Sequence, residues 1–325
     1  MKAFLRLTGL FSLLVLLTLG AGEIYVRHLP NPSRDKHEYM SAHSREVEVL
    51  VLGSSHTFYG VNPEWLDDAA YSLAQVSQTY RYDDYLLRRY PTPRLRAVII
   101  PFSYFSLYED FESQPETAYL AARYRIYMDC PYHRRLSRYG FEVLNFGSFK
   151  EKLKSLWQPA RLSWNSRGWG SNYTGQAASG QQDNGRARAR ANTYADRRLA
   201  PLNACFLSSM FSWCRQRGVR VLLITTPVTP SFRAAESPAQ RAENRHWLTN
   251  LLRRYPEVEY YDFESAPCFT AADFYDADHL NAQGARRLTS LLRAILHGHP
   301  VPQSLSSLPA DFPTGREAAS PAIHQ

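Results

Sequence analysis

Val47-Glu48-Val49-Leu50-Val51-Leu52-Gly53-Ser54-Ser55-His56 is the stretch that decides how this chain folds. All of its first six residues except Glu48 are apolar, so both faces of an extended strand would be greasy. Continuous runs of this kind belong to strands of parallel sheets that helices cover on both sides. The run breaks at a glycine and two serines, which hands a buried strand over to a tight polar turn. In open α/β sheets the carboxyl ends of the strands are where ligands are handled.

Working outward, four more strands obey the same logic: residues 69–74, 94–101, 219–227 and 258–262. Helical stripes alternate with them. Residues 79–90 place Tyr82, Tyr85, Leu86 and Tyr90 partly on one face, and residues 200–217 do the same with Leu202, Cys205, Phe206 and Met210 before Gly218 stops the helix. Residues 238–254 carry Trp247, Leu248, Leu251 and Leu252. A last helix starts at Asn281 as N-cap and repeats Leu288, Leu291, Leu292 and Ile295. Strands alternating with helices predict a three-layer α/β/α fold around a five-stranded parallel sheet.

Around this domain, residues 46–297, the composition changes. Residues 1–22 put Lys2 and Arg6 ahead of an uncharged apolar run from Leu7 to Gly22, the pattern of a signal anchor or a cleaved signal peptide. Either way, the remainder of the chain is expected to be exported. Residues 23–45 read as a polar stalk, and residues 298–325, rich in proline and small residues, as a disordered tail. Between the third and fourth strands lies an insertion, about 109–198. Short helices are expected within 119–144, and loop over 168–173 and 175–190. Arg186, Arg188 and Arg190 read as a solvated face. Trp164 and Trp169 suit either packing or stacking on a sugar.

The bulk numbers exclude some functions. With 325 residues, 44% hydrophobic and 13% aromatic content, the chain can fill a large core. The net charge of +8 comes from arginines spread along the length, with no zinc-finger, RNA-binding or basic-zipper signature, so nucleic acid is not an expected partner. Four cysteines, Cys130, Cys205, Cys214 and Cys268, include no C-x-x-C pair, which argues against structural zinc and leaves disulfides or buried thiols open. No G-x-x-x-x-G-K-[ST] loop is present, so a phosphate-cradling transferase is a poor fit.

A serine becomes a nucleophile only with a base in reach, a group that orients the base, and donors for the oxyanion. Phe274-Tyr275-Asp276-Ala277-Asp278-His279-Leu280-Asn281 offers the first two. Asp276 precedes His279 by three residues, a spacing that lets a carboxylate hold one imidazole nitrogen while the other stays free as base. Asp278 reads as a solvent-facing neighbour, and His56 as structural or substrate-contacting.

Gly53-Ser54-Ser55, with Asp276-x-x-His279-Leu280-Asn281-x-x-Gly284 near the far end, resembles the SGNH, or GDSL, hydrolase superfamily, and in particular a membrane-anchored, DltD-like branch of envelope acyl transfer. The resemblance spans residues 46–297 without the insertion. It implies a flavodoxin-like sheet, Ser55 as nucleophile, His279 as base and Asp276 as orienter, with no cofactor or metal. It also implies a serine esterase or O-acyltransferase acting on an acylated envelope glycan or other polyol, with a membrane-bound acyltransferase as a conceivable partner. The alternative is a non-catalytic glycan-binding or assembly subunit that keeps the fold. This chain departs from the superfamily pattern at two places. Leu73-Ala74-Gln75-Val76-Ser77-Gln78 lacks the expected glycine and Pro101-Phe102-Ser103-Tyr104 lacks the expected asparagine, leaving Ser77, Gln78 and Ser103 as substitute oxyanion donors.

Overall fold

The apolar runs become short parallel strands. The computed structural model describes residues 1–112, 117–133, 137–157, 164–175 and 184–299. In chain order these form helices α1 (Lys2–His28) and α2 (Pro32–His43), strand β1 (Val49–Val51), α3 (Ser55–Gly60), α4 (Pro63–Leu66), β2 (Ala70–Ser72), α5 (Tyr80–Arg89) and β3 (Ala97–Pro101). Then come α6 (Ala121–Tyr127), α7 (Phe146–Trp157), α8 (Gly185–Ala191), α9 (Ala200–Arg217), β4 (Arg220–Thr225), α10 (Pro230–Arg233), α11 (Pro238–Arg254), β5 (Glu259–Asp262) and α12 (Ala282–Leu296).

The five strands make one parallel sheet in the order β2-β1-β3-β4-β5. Val49 pairs with Ala70 on one side and Ala97 on the other, and Leu222 pairs with Glu259 at the far edge. This is the flavodoxin-like α/β arrangement expected from the sequence. Its strand order reverses between β1 and β3, and the crevice beyond their carboxyl ends is the place such sheets use for ligands.

Strand alternation divides the core. Val49, Val51, Ala97, Ile99, Leu222 and Ile224 share a cluster with Leu288, Leu292, Ile295 and Leu296 of α12. Each such side chain taken fully from water contributes about 1.5–3 kcal/mol. Leu50, Val98, Ile100, Val221 and Leu223 alternate with them and are also buried. Helix boundaries obey local chemistry. Ser237 caps α11 ahead of Pro238, Asn62 caps α4 ahead of Pro63, and Gly218 closes α9 in the left-handed region at φ 64°.

The chain forms two compact units, one of residues 1–40 and 110–163, the other of residues 41–109 and 164 onward. The insertion is therefore shared: its first part belongs with the N-terminal forty residues and its second part with the sheet. The stalk expected over residues 23–45 is helical instead. α1 runs on to His28, and Asn31 starts α2 by accepting from Ser33 N at 2.9 Å, with Pro32 at the first helical position. Within this unit Glu23 accepts from the backbone of Glu142 and Val143 at 3.1 and 3.0 Å, which fixes the end of α1.

α1 is 27 residues long, and its most apolar 18-residue window has mean hydropathy 1.9; among the described residues it is the one helix long and apolar enough to cross a membrane. The 175–190 loop expected from the sequence turns helical at Gly185, where α8 begins. Residues 176–183 and the tail from residue 300 lie outside the described residues. All four cysteines are free thiols, with Cys130 and Cys214 buried and Cys205 exposed.

Candidate active site

The turn after β1 is held open by a residue that only glycine can supply. Gly53 sits at φ 109°, and a Cβ there would lie 2.2 Å from Pro101 Cγ. Its N–H donates to Asp83 Oδ1 at 2.8 Å, and its carbonyl accepts from Gln75 N at 3.0 Å. Fastened on both sides, the chain delivers Ser54 as N-cap and Ser55 as the first residue of α3. Ser55 is half-buried, within reach of a substrate. As a first-turn residue its own N–H has no intrahelical acceptor.

A second pinched turn supplies the histidine. Phe274 and Leu280 form an antiparallel bridge, Tyr275 N donates to His279 O at 2.9 Å, and Asp276 Oδ1 accepts from His279 N at 2.9 Å and Asp278 N at 3.2 Å. Asn281 locks the base of the turn. Its Oδ1 caps α12 through Gln283 N and Gly284 N, both at 3.0 Å, and its Nδ2 reaches Ala272 O at 2.7 Å. Gly284 is needed because a Cβ would stand 2.2 Å from Asp273 O.

These two turns meet. His279 Nε2 lies 2.8 Å from Ser55 Oγ, and His279 Nδ1 lies 2.9 and 3.0 Å from the two oxygens of Asp276. A carboxylate on Nδ1 keeps the proton there and leaves Nε2 as acceptor for a hydroxyl.

The other residues singled out by the sequence fall into a frame around this chain of contacts. Gln78 is buried and donates to Asp83 Oδ1 at 2.6 Å, so it braces the Gly53 turn. Burial raises the Asp83 carboxyl to about 7, against the pull of Gln78 and the Gly53 N–H. Ser77 takes a left-handed backbone at φ 59°. Ser103 is buried with Oγ 2.9 Å from His56 Nδ1, which Thr226 Oγ1 also approaches at 3.1 Å. Trp169 is buried, donates Nε1–H to Tyr59 O at 2.7 Å and packs on Trp65 with ring centroids 5.3 Å apart.

The rest of that loop crosses α3: Gly170 N donates to Phe58 O at 2.9 Å, and Ala282 N donates to Tyr173 O at 2.8 Å. Tyr173 is sandwiched at 3.8 Å from Tyr59 and 3.7 Å from Tyr275, and Tyr59 and Tyr173 both pack edge-on against His279. The sequence carried no signal for this stack, because its three rings come from three separate segments.

Two expectations are corrected. Asp278 does not face solvent: it is buried, and Arg188 donates to both its oxygens at 2.8 and 2.9 Å. Arg188 correspondingly leaves the solvated face assigned to the arginine alternation. α8 turns it inward while Arg186 and Arg190 stay exposed. The signal was present in two acids flanking Ala277 ahead of His279, since a second carboxylate so close to a buried imidazole needs a counter-charge.

His56, Asp278 and His279 bring possible metal-ligating atoms within 4.8 Å of one another. Arg188 already occupies both carboxylate oxygens with a fixed positive charge, so this donor set suits a neutralised ion pair better than a cation. Burial is the main force that would raise the Asp278 carboxyl, yet His279, His56 and Arg188 together hold it well below the usual range. Burial lowers His56, so it is neutral at pH 7. Its Nδ1 meets the two hydroxyls, and its Nε2 faces Asp278 Oδ2 at 3.5 Å.

The chain matches no protein-family model and no curated protein. Among solved structures its fold is similar to that of an acylhydrolase from Bacteroides fragilis, at 11% identity over 80% of this chain and 94% of that chain, TM-score 0.40. It is also similar to a protein described as a platelet activating factor from Streptococcus pneumonia, at 8% identity over 89% and 98%, TM-score 0.42. A GDSL-like lipase from Bacteroides thetaiotaomicron aligns at 9% identity over 82% and 99%, TM-score 0.40. These are likenesses of fold at low identity, and the chemistry of the site rests on its own distances.

Proposed function

We propose that the chain is an exported, membrane-tethered serine esterase or O-acyltransferase of the SGNH type, acting on an ester of a cell-envelope glycan or similar polyol. The observation that carries this reading is the continuous chain Ser55 Oγ–His279–Asp276, with contacts of 2.8 and 2.9 Å between groups that lie 224 and 3 residues apart. Ser55 Oγ attacks the ester carbonyl as His279 Nε2 takes its proton, and Asp276 steadies the imidazolium. The carbonyl oxygen gathers negative charge near the Ser55 N–H. Collapse expels the alcohol with the proton from His279 and leaves an acyl group on Ser55. Water or a second hydroxyl then removes the acyl group by the reverse steps.

The apolar surface of α1 supports the tether and an envelope location for the domain. The test is turnover of a small aryl acetate by the full chain in detergent, with fluorophosphonate labelling of Ser55 read by mass spectrometry. Ser55→Ala should abolish both. Turnover unchanged in that variant sinks the reading. A folded wild type that neither hydrolyses the ester nor takes the label favours the glycan-binding subunit instead.

A further inference from the structure

The carboxylate of Asp278 has no part in that proton relay, yet its Oδ1 lies 3.4 Å from His279 Nδ1 and its side chain is closed to solvent. Arg188 grips it through two bonds of 2.8 and 2.9 Å, Asn192 Nδ2 adds a third at 3.3 Å, and His56 Nε2 stands 3.5 Å away. We propose that Arg188 and Asp278 form a charge clamp, its carboxylate buried and its guanidinium partly exposed, that positions the His279 imidazole and sets how readily it accepts a proton. Both are positioning residues, and the inference rests on reading His279 as the general base.

An ion pair with a buried carboxylate brings little net stability, because the desolvation of that charge offsets much of the attraction. The cost has a use here. An uncompensated carboxylate this close to Nδ1 would favour the imidazolium strongly, since both side chains are buried. Arg188 offsets part of that field, so the ring feels the Asp276 carboxylate together with a partly neutralised Asp278.

The cancellation depends on a fixed distance, and α8 is built to keep it. A Cβ on Gly185 would meet Ser231 Oγ at 2.3 Å, so the helix lies tight against α10, and Ala189 packs with Tyr104, Phe232 and Ala277. The remaining groups that face His279 are Asp276 and Tyr275 of its own turn, Ser55, His56 and Tyr59 of α3, and Tyr173 of the crossing loop. His56 among these also faces Asp278 Oδ2 at 3.5 Å, so Arg188→Gln, which leaves that contact in place, reads the charge effect most directly.

The two charges act with opposite signs. Asp278→Asn leaves the Arg188 cation uncompensated near the ring, which disfavours imidazolium. The acid-side midpoint of the kcat/KM profile for the aryl acetate should then fall by on the order of half a pH unit or more. Arg188→Gln leaves the carboxylate uncompensated and should move the midpoint up. The double variant, which removes both charges, should return it toward the wild-type position. A readout independent of turnover is the His279 Nδ1–H proton resonance, identified by its loss in His279→Gln, which should shift in opposite directions in the two single variants.

Midpoint and resonance unmoved in the single variants overturn the clamp. So does movement in the same direction in both, which is what simple loosening of the turn would give. If Asp278→Asn does not fold, Arg188→Gln and the double variant still decide the sign. If Ser55→Ala retains activity while the resonance responds as expected, the nucleophile assignment fails and the clamp stands.

Discussion

Gly53 carries the presentation of Ser55, because it combines a left-handed backbone with a contact that leaves no room for a methyl group. Gly53→Ala should cost roughly 2–4 kcal/mol of stability, as strain and overpacking add, and should lower activity further by displacing Ser55. Denaturant midpoint and turnover of the folded fraction measure the two effects separately. Asp276 is expected to behave as an orienter: Asp276→Asn should lower kcat by about 1,000- to 10,000-fold with little change in KM, checked by steady-state kinetics. At this scale the sequence was readable where chemistry and spacing coincided, as in Asp276-x-x-His279. The second acid beside His279 hinted that a counter-charge is needed, but no local pattern named Arg188, which lies 90 residues away. The sequence also offered Gln78 and Ser103 as oxyanion donors; in the fold Gln78 donates to Asp83 and Ser103 lies against His56.

Among the elements, the strands were the most legible, since parallel strands buried on both faces leave continuous apolar runs at residues 47–52, 94–101 and 219–227. Each is shorter in the fold than its run, because pairing stops where a neighbouring strand ends. α9 and α11 matched their expected limits, having clear caps at Gly218 and Ser237. α2 and α8 did not declare themselves. Polar residues dominate the first, and the second is seven residues long, too short to show a period. The turn before α12 depends on Asn281, which bonds to four backbone groups. Asn281→Ala should cost at least about 1–2 kcal/mol, the usual loss for an N-cap, and should impair activity more than its stability effect alone implies, because His279 hangs from the same turn. Chemical unfolding alongside kcat measures this.

Over the molecule as a whole, buried carboxyls set the response to pH. Burial raises Asp83 to about 7, and burial with the neighbouring Glu264 charge raises Glu236 to about 7. Between about pH 4 and 7 the folded chain therefore keeps protons that the unfolded chain has released. Stability should fall as pH rises through that window. Asp278 acts in the other sense: its contribution is present above the ordinary carboxyl range and is lost only as pH falls through its depressed folded value. Urea midpoints of the full chain in detergent should decline from about pH 4 to about pH 7, and Asp83→Asn should flatten the decline. An unchanged slope in that variant would count against a neutral Asp83.

The stack of Tyr59, Tyr173 and Tyr275 has an optical consequence. Phenol rings lying 3.7–3.8 Å apart and within 17° of parallel couple their electronic transitions, so the trio should give a strong near-ultraviolet circular-dichroism band. Because the middle ring belongs to the loop that crosses α3, the band acts as a seating gauge for that loop. It should collapse in Tyr173→Leu. A ligand that lifts the loop away from α3 would dim it without any label being attached.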